Sequence, residues 1–400
     1  MKNLQILVET MTRCGGNCSG CALSSVERMV SSFDLDNFIL KTQQVRSILD
    51  KHNAEEVESA TVFLGQGDHF LINEKQIDQF MLHAARMIPE ELKRKTVVFI
   101  TASAIGKHEQ IVKKMDLFYE YSLKYNLPFF IQVVFDPKKM KTTPKFQEIY
   151  IKNILYFKQK CGMTEVTVNI GEDILNHLTP QDFHDFIKKY NFKHIEMNWV
   201  INQFTYSMWK NIYQDMMQWM IDWMEIYLQD PVYEINYIPF MGRHLLHKEK
   251  PILSSLAQIE TSLNHNIYID SEGTLFRGQM GLISNLTPFS ERLEKNNKPI
   301  TANQIVSKFL KRESCSDCEY MTTCALSGVA SWLNYPTEQP DNECPWDIKK
   351  FLQYFEYKIL EAKKGDTCFI QTRFDKNPVQ HSKLIKENNA TNTYFEEKIK

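Results

Sequence analysis

No stretch of the 400 residues approaches the roughly 20 consecutive apolar residues that a bilayer-spanning helix requires. The opening MKNLQILVET is too short and too charged for a secretory signal. Positive charge is not in excess: 47 Lys and Arg stand against 49 Asp and Glu, a net charge of −2, so the chain carries no basic footprint for nucleic acid. Internal repeats and Gly/Ser linkers are also missing, which argues for domains sharing one interface. These absences leave a protein with no membrane or nucleic-acid partner, expected in the cytoplasm, where thiols stay reduced. At 43% hydrophobic it can bury a large core, as one big domain with appendages.

What the chain has instead is nine unevenly placed cysteines. MTRCGGNCSGC puts Cys14, Cys18 and Cys21 on one short stretch. An odd trio in a reduced compartment does not read as a disulfide framework; clustered thiols there bind metal.

Periodicity places that trio. NLQILVE (3–9) reads as a buried strand with the cysteines on the loop at its end. The pattern then repeats: helical periodicity around 36–52 before TVFLG (61–65), 74–87 before TVVFIT (96–101), 108–125 before PFFIQVVF (128–135), 146–160 before EVTVNI (165–170), and 181–190 before HIEMNWVI (194–201). Six strands alternating with helices predict an α/β fold with a parallel sheet and right-handed crossovers. By pattern an open sheet and a curved partial barrel fit equally well, and in both the chemistry belongs at the carboxyl ends of the strands. The cysteine trio lies at one such end.

Three thiolates can hold three irons of a cubane cluster and leave the fourth open, whereas a structural metal site is closed. A zinc ion completed by a distant ligand is the plain alternative, although zinc motifs usually offer paired cysteines. Cys-x3-Cys-x2-Cys at the first strand-to-loop junction of a (β/α)6 pattern resembles the radical S-adenosylmethionine (SAM) superfamily, over about residues 1–205. The resemblance implies a partial (β/α)6 TIM-like barrel and a [4Fe–4S] cluster whose open iron chelates the amino and carboxylate groups of SAM. It also implies reductive cleavage of SAM to methionine and a 5'-deoxyadenosyl radical that abstracts hydrogen from a substrate. Gly20 stands where the family often has an aromatic residue.

Other strand ends extend the comparison. GQGD (Gly65, Gln66, Gly67, Asp68) resembles the Gly-Gly-Glu stretch that receives the SAM amino group, with Asp68 supplying the carboxylate; a plain Gly-rich turn is the bland reading. FITAS keeps Thr101 of a Thr-Asn-Gly ending, with Ala102 and Ser103 departing. IQVVFD keeps Asp136 but has Val134 where the family has a serine, and Asn169 stands where relatives carry a polar SAM contact. Each of these side chains could equally serve a turn or cap.

Cys315, Cys318, Cys324 and Cys344 form a second group. Four thiols can close a coordination shell, suiting structure or electron transfer; composition alone leaves a zinc ribbon and an iron–sulfur cluster open. Cys-x2-Cys-x5-Cys with a later cysteine resembles the SPASM extension of radical SAM enzymes, over about 235–355. IYIDSEGTLFRG (267–278) is similar to its entry hairpin and MGRHL (241–245) to a Gly-Arg element before it. The full extension carries two auxiliary clusters, but Gly278 and Gly328 stand at two ligand positions of the first. The resemblance therefore implies loss of that cluster and retention of the second, a [4Fe–4S] cluster on the four C-terminal cysteines.

The expected domains are a barrel (1–205), a bridging helix (206–234), an auxiliary-cluster domain (235–362) and a polar tail (363–400) containing Cys368. Residues 208–229 are apolar around nearly their whole circumference, which predicts a buried bridge or, more sharply, a methionine and aromatic surface for a peptide. Cys161 reads as an apolar packing residue. The resemblance points to peptide or protein modification, with an electron donor such as flavodoxin or ferredoxin and with any leader recognised by the core or a separate partner. A radical SAM enzyme acting on a small molecule or nucleic acid, and a non-enzymatic zinc-binding interaction protein, are the rivals. The sequence marks no catalytic acid, base or radical-quenching residue.

Overall fold

The structure is a computed structural model that describes residues 2–16, 29, 32–127, 129–136, 139, 143–161, 164–170, 172–199, 206–235, 241–242, 245, 265–270, 272–277, 312–326, 342–344 and 347–364. Cys18, Cys21, Gly278, Gly328 and Cys368 lie outside these, as does all of the tail beyond 364. The chain divides into two compact units. Met1–Thr167 with His265–Phe276 belongs to the first, and Val168–Asn264 with Arg277–Asn377 to the second.

In the first unit, β1 (Lys2–Met11), β2 (Val57–Gln66), β3 (Thr96–Ala102) and β4 (Phe129–Phe135) alternate with helices α1 (Leu35–Leu49), α2 (Glu74–Arg86), α3 (His108–Lys124) and α4 (Pro144–Cys161). Strand β5 (Thr164–Ile170) runs from this unit into the second. β1 to β4 pair in parallel, in sequence order. The expected hairpin forms from β8 (Asn266–Ile269) and β9 (Leu275–Arg277), and β8 adds to the free edge of β1 as a further parallel strand. Its turn is built by Asp270, whose Oδ1 accepts from Glu272 N (3.0 Å) and Thr274 N (2.7 Å), and by Gly273 at φ 81°, where a side chain would be strained.

Local chemistry fixes the helices. Asp34 caps α1 by accepting from Asp36 N and Asn37 N, and Asn73 caps α2 through Lys75 N. The inward faces meet in an aromatic core: Phe38 stacks on Phe80 at 4.6 Å, Phe80 meets Phe118 edge-on at 5.9 Å, and Phe70 lies 4.6 Å from Phe157.

Alternation along β1 distinguishes its two faces. Leu4, Ile6 and Val8 are buried on the helix side, where Thr10 also points. Gln5 is exposed and Leu7 half-buried on the opposite face. There the register sets Tyr268, Leu7, Phe63, Phe99 and Phe130 in one row across the sheet. Phe63 and Phe99 stack at 4.9 Å, with Phe130 5.7 Å from Phe99. One step nearer the carboxyl ends the row turns polar or small, with Glu9 opposite Gly65 and Thr101 opposite Gln132.

In the second unit, the end of β5 is followed by α5 (Glu172–His177), α6 (Pro180–Lys189), β6 (His194–Trp199), α7 (Tyr206–Gln229) and β7 (Glu234–Ile235), the last parallel to β6. Short helices α8 (Glu313–Ser316) and α9 (Met321–Leu326) and the long α10 (Ile348–Lys364) complete it. Met216, Met217, Met220, Trp223, Met224 and Tyr227 of α7 are all buried. This helix packs against α5, α6 and α10: Phe183 lies 5.8 Å from Trp219, Trp219 Nε1 donates to Leu178 O (2.9 Å), and Lys358 pairs with Glu225 (2.8 Å).

Candidate functional site

The chain leaving β1 is fastened to the loop leaving β2. Gly67 N donates to Met11 O (2.8 Å) and Asp68 N to Arg13 O (2.9 Å). A Cβ at position 67 would lie 2.5 Å from Arg13 O and 2.8 Å from Met11 O, both backbone atoms, so only glycine allows this approach. Cys14 emerges from the fastened segment half-buried, and its Sγ accepts from Gly16 N at 3.3 Å. An N–H aimed at sulfur favours thiolate, the form a metal binds. Cys14 thus fits a cluster ligand at the carboxyl end of β1.

The GQGD loop is braced from behind. Thr101 Oγ1 donates to Gly67 O at 2.5 Å. His69, fully buried, places Nδ1 3.1 Å from Thr101 O and Nε2 2.8 Å from Thr10 Oγ1. Burial lowers its pKa to about 4, so the ring is neutral. With its proton on Nδ1, facing the Thr101 carbonyl, Nε2 accepts from Thr10. Lys114 of α3 then holds the following turn through Phe70 O (2.5 Å) and Ile72 O (2.8 Å).

Asp68 is almost wholly buried, with Oδ1 accepting from Phe70 N (3.0 Å) and Oδ2 from the Ser103 hydroxyl. Burial raises its pKa, opposed by those two hydrogen bonds and by the charge of Lys139. Its carboxylate therefore caps the short turn His69–Leu71 and ties it to the end of β3. Asp136 is buried just past β4, in a turn closed by Lys139 N donating to Asp136 O (3.0 Å). Val134 contributes its carbonyl, which accepts from Tyr150 (2.9 Å). Asn169 lies on β5, and its side chain is outside the described set. The structure thus gathers Gly65, Gln66, Gly67, Asp68 and Thr101 beside Cys14, and sets Lys139 and Asp136 close enough for Lys139 to act on Asp68.

A polar chain that the sequence did not flag crosses the ends of β1, β2 and β8. The Tyr268 hydroxyl donates to Glu9 Oε1 and accepts from Gln66 Nε2 at 3.2 Å. Lys41 of α1, buried, donates to Glu9 O at 2.5 Å; desolvation lowers its pKa, opposed by the charges of Glu9, Asp270 and Asp34. Gln66 Oε1 is buried and has no hydrogen-bond partner among the described residues.

In the second unit, Arg312 Nη2 (3.1 Å) and Ser314 Oγ (2.8 Å) both donate to Glu343 O, drawing the segment of Cys344 to that of Cys315. Cys318 N donates to Cys315 O (3.2 Å) and Cys324 N to Tyr320 O (2.8 Å), so tight turns carry the remaining two. Burial raises the Cys324 thiol well above its ordinary value, and Cys344, Cys315 and Cys318 push it further. Burial likewise pushes Cys344 up to about 12. Each of these four thiols therefore lies within electrostatic reach of others in the set, although among the described residues no three His, Cys, Asp or Glu side chains stand in a metal-holding arrangement. Cys161 is buried, its thiol raised strongly by desolvation, as an apolar packing residue should be.

No protein-family model matches the sequence, and no curated protein sequence matches it. Solved structures do share its fold. Native anSMEcpe with bound AdoMet superposes with a TM-score of 0.60 at 14% identity, over 90% of this chain and 100% of that one. Native anSMEcpe with bound AdoMet and Cp18Cys peptide gives 0.58 at 14%, over 90% and 99%. SuiB of Streptococcus suis bound to precursor peptide SuiA gives 0.52 at 12%, over 86% and 75%. These likenesses show the fold, an α/β partial TIM-like barrel built on a parallel sheet.

Proposed function

We propose that this protein is a radical SAM enzyme that cleaves S-adenosylmethionine reductively and modifies side chains or backbone carbons of a peptide or protein. The observation that carries the reading is the fastening of the Cys14 segment to the GQGD loop through Met11 O and Arg13 O, in a fold shared with an AdoMet-bound protein. The peptide-bound states of anSMEcpe and SuiB support peptide as the substrate class.

When bound, a [4Fe–4S] cluster and SAM supply the electron and the radical that break an unactivated C–H bond. The chain's own part is placement. Cys14, with Cys18 and Cys21, holds the cluster; Thr101 holds the Gly67 carbonyl, and His69 braces the loop between Thr10 and Thr101. The phenyl row of Phe63, Phe99 and Phe130 beneath gives the open face a dry floor. Asp136 completes the proposed SAM contacts of the first unit at the end of β4. Cys315, Cys318, Cys324 and Cys344 hold a second, auxiliary [4Fe–4S] cluster in a SPASM-like domain that lacks the first. The hydrogen bonds from Arg312 and Ser314 to Glu343 O, which bring the Cys344 segment to that of Cys315, support the assignment. The enzyme is an oxidoreductase of the cytoplasm, reduced by a flavodoxin or ferredoxin.

Anaerobic iron and sulfide analysis with a dithionite-driven SAM cleavage assay tests this, comparing wild type with Cys14, Cys18 and Cys21 all changed to Ala. About eight irons falling to about four, with 5'-deoxyadenosine lost, is the expected result. About four irons that vanish in the variant would assign the C-terminal thiols to zinc or to nothing. No iron and no cleavage in reconstituted wild type would end the enzyme reading.

A further inference from the structure

Arg312 is 1% exposed, a buried guanidinium whose charge reaches Cys315. Its backbone and its side chain serve opposite arms of the four-cysteine group. Arg312 O accepts from Cys315 N (3.1 Å) and Ser316 N (3.0 Å), opening the turn that carries Cys315 and Cys318. Its Nη2 donates to Glu343 O (3.1 Å), 31 residues along the chain and next to Cys344. One residue thus joins the first thiol of the set to the last.

Burying a guanidinium is costly unless opposite charge offsets it, because the group keeps its proton in a protein interior. A clamp alone needs no charge: Ser314 Oγ, a neutral donor, already holds Glu343 O at 2.8 Å. What a hydroxyl cannot supply is a cation. Burial pushes the Cys315 thiol up, and the Ser314 hydroxyl and the Arg312 charge oppose it. Elsewhere in the set the thiols raise one another, and Asp347 adds negative charge at Cys344. Anionic sulfur is therefore concentrated here, and Arg312 acts on it from a site that water does not screen.

Four thiolates around a [4Fe–4S] core make a net-negative assembly, and one added electron makes it more negative. A fixed buried cation beside it favours the reduced state and so raises the reduction potential. We propose that Arg312, while closing the Cys344 arm onto the site, sets the reduction potential of the auxiliary cluster through its charge. The inference rests on the auxiliary-cluster reading above. Each electron the cluster gains is one lost by the flavodoxin- or ferredoxin-class donor, and no bond forms or breaks. Arg312 is not a ligand; it acts through the thiolates.

The test is an EPR-monitored redox titration, with dithionite as reductant, of the full chain with Cys14, Cys18 and Cys21 changed to Ala, so that only the C-terminal cysteines hold a cluster. Adding Arg312→Gln, which keeps an amide donor and removes the charge, should leave about four irons bound. It should shift the equilibrium toward the oxidised cluster by about tenfold, a potential lower by about 59 mV for one electron. Arg312→Lys, which keeps a point charge, should recover most of that shift. A merely structural arginine would change melting or iron content and leave the potential of the loaded protein alone. An unchanged potential in iron-loaded Arg312→Gln, or an equal drop in Arg312→Lys, would overturn the proposal. If Arg312→Gln does not load iron, loading itself decides: iron in Arg312→Lys supports the charge, and none in either variant makes Arg312 a steric clamp and overturns it. Zinc or no metal at the C-terminal cysteines with Arg312 in place would instead remove the auxiliary-cluster reading, and the assignment with it.

Discussion

Lowering the pH should open the loop behind Cys14, because His69 cannot accept a proton where it sits. Its ring is 0% exposed and wedged between Thr10 and Thr101, and burial holds its pKa near 4 against an ordinary 6.5. A depressed folded-state value means that the unfolded chain binds the proton more tightly. The stabilisation is whole above about pH 6.5 and is lost progressively as the pH falls toward 4. A gap of this size corresponds to roughly 3 kcal/mol once fully expressed, and to about 2 kcal/mol between pH 7 and pH 5. Asp68 acts in the opposite sense: its raised pKa means that protonation on acidification relieves a buried charge. Comparison with His69→Gln, which leaves Asp68 in place, isolates the histidine. The assay is hydrogen exchange of the segment spanning Gly67 and Asp68, whose amides close onto Met11 and Arg13, corrected for intrinsic rate. Wild type should lose about tenfold or more of protection from pH 7 to pH 5, and His69→Gln should start less protected and show little of that slope. A wild-type imidazole that titrates near 6.5 by NMR, or an equal slope in the variant, would refute the reasoning.

Three further outcomes are expected. Gly67→Ala forces a methyl against two backbone carbonyls at 2.5 and 2.8 Å, so it should destabilise by ~1–3 kcal/mol and reduce iron at the N-terminal site, read by melting and iron analysis. Trp223→Ala removes a buried ring stacked on Tyr227 at 5.2 Å and a bond to Tyr233 at 2.9 Å; a loss of about 3–5 kcal/mol should appear in chemical unfolding of the second unit. Tyr354→Phe breaks a hydroxyl contact to the part-exposed Glu225, which keeps Lys358, and should cost less than about 1 kcal/mol in the same experiment.

The strands and helices of the first unit were legible because their apolar residues are periodic, and the boundaries moved only where polar residues are satisfied by tertiary partners. β2 begins at Val57 rather than Thr61, since the Ser59 hydroxyl finds Asn3 Oδ1 at 2.6 Å and can lie within a sheet. The turn His69–Leu71, α5 and β7 are too short to leave a period in the sequence. The hairpin at 267–278 could be read from its Glu-Gly turn, but its docking beside β1 could not. Parallel pairing to a strand some 260 residues earlier is decided by the exposed edge of β1 and leaves no local mark.

The site divides along the same line. Residues proposed to touch a ligand through their own chemical type, such as Cys14 and the glycines of GQGD, announce themselves by spacing. Residues that act by fixing another group do not. Ser103 looked like a departure and proves to hold Asp68; His69 follows the motif directly, yet a lone buried histidine signals nothing until Thr10 and Thr101 close on its two nitrogens. Glu9 is the sharper case, a carboxylate ending an apolar strand run, whose proton partner comes from β8 and whose backbone partner comes from α1. Its effect reaches the loop through the single proton of Tyr268, so the orientation of the Gln66 amide is a property of three strands together. Removing any member of that relay frees the Gln66 amide to turn without changing the motif.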